Sequence, residues 1–180
     1  MARKTKKVNN SNESVSQLSV GGNVSIDIKQ GKRIVKTLSV HNSPTINLFM
    51  GIMLALSSFE YAQIQSYLPR FLCAGTGTYS ESDVSKTGLA EPIAMNMVSV
   101  ERINSPRIES ESNKGVVKFQ AVIPYSSIGS SVRIKELGLY GESSSNNNSM
   151  VARVQLPNDI ILEQGQSLYI QWTFSVEANA

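Results

Sequence analysis

The chain is poor in the residues on which most hydrolytic and metal chemistry depends. Its 180 residues contain one histidine, one cysteine and one tryptophan. With only His41 and Cys73 there is no His/Cys metal cluster and no zinc-ligand spacing. A lone cysteine also excludes an intrachain disulfide. Cys73 lies in the apolar run Phe71-Leu72-Cys73-Ala74, which suits a small buried thiol. A Cys73–His41 dyad is arithmetically possible, but both residues lie in or beside apolar runs. No Gly-x-Ser-x-Gly elbow is present. Ser85-Lys86-Thr87 ends like a phosphate loop without the preceding glycines, and Gly75-Thr76-Gly77 does not continue into GxGxxG. Asp83 with Glu91 could form an acid/base pair, and Glu81, Asp83 and Glu91 could face a calcium ion. In a Ser-rich loop such acids read more simply as solvated turn residues. The expectation is a protein without catalytic residues, metal or cofactor.

Charge is also scarce, at 17% of residues, and so are long apolar runs. The best run, Ile46 to Leu56, falls short of the roughly 18 residues a membrane span needs. The opening basic residues are followed by polar ones, so no signal peptide is expected and the protein is expected to be made in a cytoplasm. The net charge of +3 is concentrated at one end. Arg3, Lys4, Lys6 and Lys7 lie in the first seven residues, and the remaining body is close to neutral. Such an arm can touch nucleic acid or an acidic neighbouring subunit, or it can be a solvated chain end. No aromatic lies among these four, so the arm offers no base stacking.

What the sequence does have is alternation. Residues 1–20 read as a basic and polar arm closed by Gly21-Gly22, and 21–180 as a single domain. Val24 to Ile28 alternates as a strand, and Arg33 to Val40 forms the next. Further strands are expected at Arg70–Ala74, Ala94–Arg102, Val116–Ile123 and Met150–Leu156. The final strand places Leu168, Ile170, Trp172, Phe174 and Val176 on one face, a central core strand. One segment breaks the pattern. Ser43 as cap and Pro44 as first residue open a helix over 44–57, with Ile46, Phe49, Met50, Met53 and Leu56 at helical spacing. It is apolar on most sides, which predicts burial on more than one face, with its methionines in the core. About eight or nine strands and one buried helix predict a mainly β fold, a β-sandwich or jelly-roll-like domain.

The stretch Val132 to Gly141 changes phase. Val132 and Ile134 are even, Leu137 and Leu139 odd, so one regular strand cannot bury all four on one side. A bulge at Lys135-Glu136 would restore the face, and Gly138 would permit a bend or a close neighbour. This predicts a corner strand passing between sheets, with Glu136 aimed at a loop base or along the rim.

Together these stretches resemble small virion proteins of tailed bacteriophages, those of tails, collars, baseplates and fibre attachments. The shared pattern is a strand ending in Gly-x-Gly (Gly75, Gly77), a T-x-L-x-x-E segment (Thr87, Leu89, Glu91) and an I-x-E-[IL]-G-[LI]-[YF] strand (Ile134, Glu136, Leu137, Gly138, Leu139, Tyr140). Val151-Ala152-Arg153 and the closing strand 168–176 complete it. Lys86 and Pro92 depart from the pattern, which often has Asp before the Thr and a longer run after the acid. The resemblance covers roughly residues 68 to 180 and marks structure rather than a reaction. It implies a non-enzymatic virion protein, a ring-forming neck, collar or tail subunit. Its partners would be copies of itself and portal, tail or fibre proteins, with nucleic acid only through the basic arm. The alternative is a capsid- or fibre-surface module that binds a host receptor or glycan through loops such as 143–149.

Overall fold

The computed structural model describes residues 17–57, 64–79, 83–105, 107–109, 114–129, 131–143 and 149–179. The basic arm residues Arg3, Lys4, Lys6 and Lys7 lie outside them. The chain forms two antiparallel sheets packed face to face, a mainly β architecture consistent with a β-sandwich.

The first sheet is built around the two longest strands. β1 (Gln17–Gln30) and β11 (Gln166–Asn179) pair along their whole length, from Gln17 opposite Asn179 to Gln30 opposite Gln166. β2 (Arg33–His41) flanks β1, and β8 (Lys114–Pro124) flanks β11. Two short strands, β6 (Glu101–Arg102) and β7 (Arg107–Glu109), pair with β8. The second sheet runs β3 (Ser43–Pro44), β10 (Met150–Ile160), β9 (Ile134–Tyr140), β4 (Phe71–Gly75) and β5 (Val98–Ser99). β1 begins at Gln17, so pairing starts before the Gly21-Gly22 doublet that closes the arm in the sequence.

Alternation sets the core. Val24, Ile26 and Ile28 of β1 and Leu168, Ile170, Trp172 and Phe174 of β11 are buried, while Val176 is half-buried. They meet Leu72, Ala74, Leu137, Leu139 and Val154 of the other sheet in one cluster. A fully buried large apolar side chain contributes about 1.5–3 kcal/mol, so β11 is a main source of stability.

Three expectations are corrected. The helix, α1, spans Ile46–Ser57, because Pro44 is held in β3 opposite Ala152 and Thr45 ties to the backbone of Met150. It is not buried on several faces either. Its buried residues are Asn47 and Gly51, and the helical stripe Ile46, Met50, Met53 and Leu56 points outward. The third correction concerns the phase change. Ile134 and Leu137 both reach the main core, so the change is real. However, β9 remains in one sheet, and the extra residues lie in its neighbour: Ile134 faces Ile160 while Glu136 faces Gln155. Pro157, which has no N–H to donate, sits in that interruption of β10.

The crossing between sheets occurs elsewhere. The stretch expected as one strand over 94–102 divides into β5, paired in one sheet, and β6, paired in the other. Val100 lies between them, its N–H donating to the Arg70 carbonyl at 2.8 Å.

Candidate functional site

The motif residues divide between the two faces of β9: Ile134, Leu137 and Leu139 join the main core, while Glu136, Gly138 and Tyr140 meet Gly77, Leu89 and Glu91 on the outer face. Odd residues of β9, Leu137 and Leu139, face the main core. The opposite face presents Glu136, Gly138 and Tyr140, all buried and bonded or packed against residues 77 and 89–91.

Glu136 is completely buried. Its Oε1 accepts the N–H of Gly77 at 3.2 Å and of Glu91 at 3.0 Å, and its Oε2 accepts the N–H of Ala90 at 3.1 Å. Three backbone donors on one carboxylate are a strong fastening, because bonds to a charged acceptor exceed neutral ones. The glycines make the approach possible. A Cβ on Gly77 would stand 2.6 Å from Ala90 Cβ and 2.9 Å from Glu136 Oε1. A Cβ on Gly138 would stand 2.8 Å from Met150 Sδ and 2.9 Å from Tyr140 Cε2.

A second fastening lies beside the first. The Tyr140 hydroxyl accepts the Leu89 N–H at 3.1 Å, and the Met150 N–H donates to the Thr87 carbonyl at 3.1 Å. Cys73, Leu89, Tyr140 and Met150 form a small apolar cluster there. Burial pushes the Tyr140 phenol well above its usual range, offset in part by the Leu89 N–H. Burial likewise pushes the Cys73 thiol up, with the Glu136 carboxylate adding to the effect. Neither group is set up as a nucleophile at neutral pH.

Arg153 completes the arrangement. Its guanidinium donates from Nη2 to the Asp83 carbonyl and stands 3.7 Å over the Tyr79 ring. The Asp83 carboxyl is held below its ordinary range, first by the Ser85 hydroxyl. Glu91 Oε2 accepts the Thr76 hydroxyl at 3.1 Å. Asp83 and Glu91 are thus each tied to a neighbour in their own loop. Glu81 lies outside the described residues, and the described ones contain no group of acids, histidines or cysteines able to hold a metal.

The arrangement can hold a long loop flat against a sheet. Glu136 spends both oxygens on backbone donors. Trp172 is enclosed in the main core, away from any sugar-stacking position. Positions 144–148 of the loop considered for receptor binding lie outside the described residues. Sequence reasoning missed Arg153 as the partner of Tyr79 and the Asp83 carbonyl; its only signal was its place in the Val-Ala-Arg triplet. It also missed a cleft between the sheets lined by Gln65, Leu68, Pro69, Arg70, Arg102, Val117 and Phe119, which has no signature in the sequence.

Compared with known proteins, the chain matches no family model, no curated protein and no solved structure.

Proposed function

We propose that the chain is a non-enzymatic structural subunit of a tailed-bacteriophage virion, a ring-forming neck, collar or tail protein held by contacts between subunits. One observation carries this reading. α1 turns outward a stripe of large apolar residues, with Leu56 78%, Met53 60%, Ile46 45% and Met50 44% exposed. No charged residue interrupts the helix over 46–57. Apolar patches on the order of several hundred Å² are rarely left open on soluble monomers and mark contacts with other molecules. The fastened loop supports the same reading, since the motif residues there secure backbone rather than meet a substrate. Portal, tail or fibre proteins are the further partners this reading implies, and the basic arm is the part suited to nucleic acid or an acidic neighbour.

The test is the composition of purified particles. Mass spectrometry of gradient-purified virions should find the chain in fixed proportion to the other particle proteins. Abundance in the lysate with absence from the particles would sink the reading.

A second reading, a glycan- or receptor-binding surface module, has one feature in its favour. Tyr169 is exposed on the outer face of the first sheet, in a shallow polar depression with Gln120 and Gln171. Glycan-array binding that disappears in Tyr169→Ala would support it; a blank array would remove it.

A further inference from the structure

The cleft between the two sheets has a volume of about 630 Å³. Leu68, Pro69, Val117 and Phe119 supply its apolar wall, and Arg70 and Arg102 stand at its rim, both exposed. Its place is fixed by the crossing between sheets. The Arg70 N–H donates to the Tyr140 carbonyl at 2.9 Å, the Arg70 carbonyl accepts the Val100 N–H, and Arg102 pairs with Phe119 across β6 and β8. Among the described residues neither arginine has a carboxylate partner; the one ion pair is Arg133–Asp159 at 3.4 Å. A preformed apolar slot edged by two exposed guanidiniums, that of Arg70 standing 5.5 Å over the ring of its neighbour Phe71, suits an uncharged apolar group with negative partial charge beside it.

We infer that this cleft receives the α1 stripe of a second copy of the chain. This rests on the assembly reading above and names its interface. The stripe carries no charge of its own, so docking buries no ionised group from the helix side. Leu56 lies in the last turn of α1, with Met53 just before it, where the helix carbonyls carry partial negative charge. Two rim arginines complement that end, and their aliphatic stems can lie along the apolar stripe. Donor and receiver are different surfaces of one chain, so two copies either exchange helices reciprocally or pass them on head-to-tail. Each copy gives a helix and accepts one, and repetition closes a ring when the rotation permits.

Light scattering after size exclusion reads the oligomer directly, using the full chain. Wild type should assemble. Met53→Glu with Leu56→Glu changes only exposed positions and should yield monomers with an unchanged melting temperature. Leu68→Glu should also yield monomers, and a melt will show whether it is folded. An equimolar mixture of the two variants should recover dimers, because one intact helix still meets one intact cleft. Crosslinking provides a measurement independent of these charges. Leu56→Cys mixed with Leu68→Cys should form disulfide-linked dimers under mild oxidation, whereas Leu56→Cys mixed with Ser39→Cys should not. Cys73 is fully buried and will not compete.

Persistence of the wild-type oligomer in the Met53/Leu56 variant would overturn the inference. So would Ser39→Cys crosslinking as efficient as Leu68→Cys, or a wild type that stays monomeric at all concentrations. In each case the particle composition decides the assembly reading separately.

Discussion

Gly75 and Glu136 stand directly opposite each other on β4 and β9, so close that a Cβ on Gly75 would lie 2.5 Å from the Glu136 Oε1. The carboxylate occupies the space a side chain would have taken. Its Cγ would be 2.7 Å from that Cβ, and the Glu91 carbonyl 2.8 Å. The glycine and the acid therefore act as one device for holding Gly77 and the 89–91 stretch down onto the sheet.

Glu136→Gln keeps the shape of the side chain but turns amide hydrogens toward backbone donors. At least one buried N–H loses its acceptor, at a cost of about 2 kcal/mol, or roughly 4–8 °C in melting temperature. Gly75→Ala should cost at least as much, because a backbone carbonyl blocks the retreat of the new methyl. Together they should be less than additive, since both loosen the same loop. Thermal melts followed by circular dichroism check this; two unchanged melting temperatures would contradict it.

Tyr140→Phe removes the only acceptor shown for the Leu89 N–H and should cost about 1–2 kcal/mol. The pH dependence has a definite sign. Burial raises the phenol in the folded state above its usual value near 10, so the native protein holds this proton more tightly than the unfolded chain. Its contribution is complete below pH 10 and is lost as the pH rises beyond it. Denaturation at several alkaline pH values should show wild type losing stability faster than Tyr140→Phe; parallel curves would refute the assignment.

Trp172 is the only tryptophan and lies in the core, stacked 6.4 Å from Phe174. Its emission should be blue-shifted in the native protein and move to the red on unfolding. Its indole N–H has no hydrogen-bond partner among the described residues. Trp172→Phe therefore removes an unpaired polar group along with ring volume. It should cost about 1–2 kcal/mol, below the usual 3–5 kcal/mol for losing a buried aromatic to alanine. Urea titrations of the variant, followed by circular dichroism, check the difference.

Deleting residues 2–16 removes none of the described pairs of β1 and should lower the melting temperature less than a deeper truncation. Extending the deletion through residue 20 removes the pairs from Gln17–Asn179 to Val20–Val176 and should lower it. Equal melting temperatures for the two truncations would mean that this end of the ladder adds nothing to stability.

The fold was easiest to read where one strand carried its own answer. β11 alternates over its length, and its even residues from Leu168 to Phe174 face the core, while Val176 lies beyond it. α1 was harder for a physical reason: helical spacing reveals that a face is apolar but not what covers it. Leu48 reaches the core, while Met53 and Leu56 reach solvent. The single strand expected over 94–102 failed because local alternation does not register a change of hydrogen-bonding partner. The Glu136 staple was visible only as an acid in an apolar strand. Its three donors lie 45 to 59 residues away in the chain, a distance that spacing rules cannot bridge.

The long ladder between β1 and β11 also governs how the chain comes to life. The first described strand pairs on one edge with the next strand, β2, but on its other edge only with the last, so synthesis must release β11 before the sandwich can close. Contacts so distant along the chain make for slow folding. They also make it all-or-none with respect to length. A product cut short before residue 166 lacks the middle strand of its larger sheet and has no lid for the opposing core. Completion of the fold therefore waits on the last of the described strands.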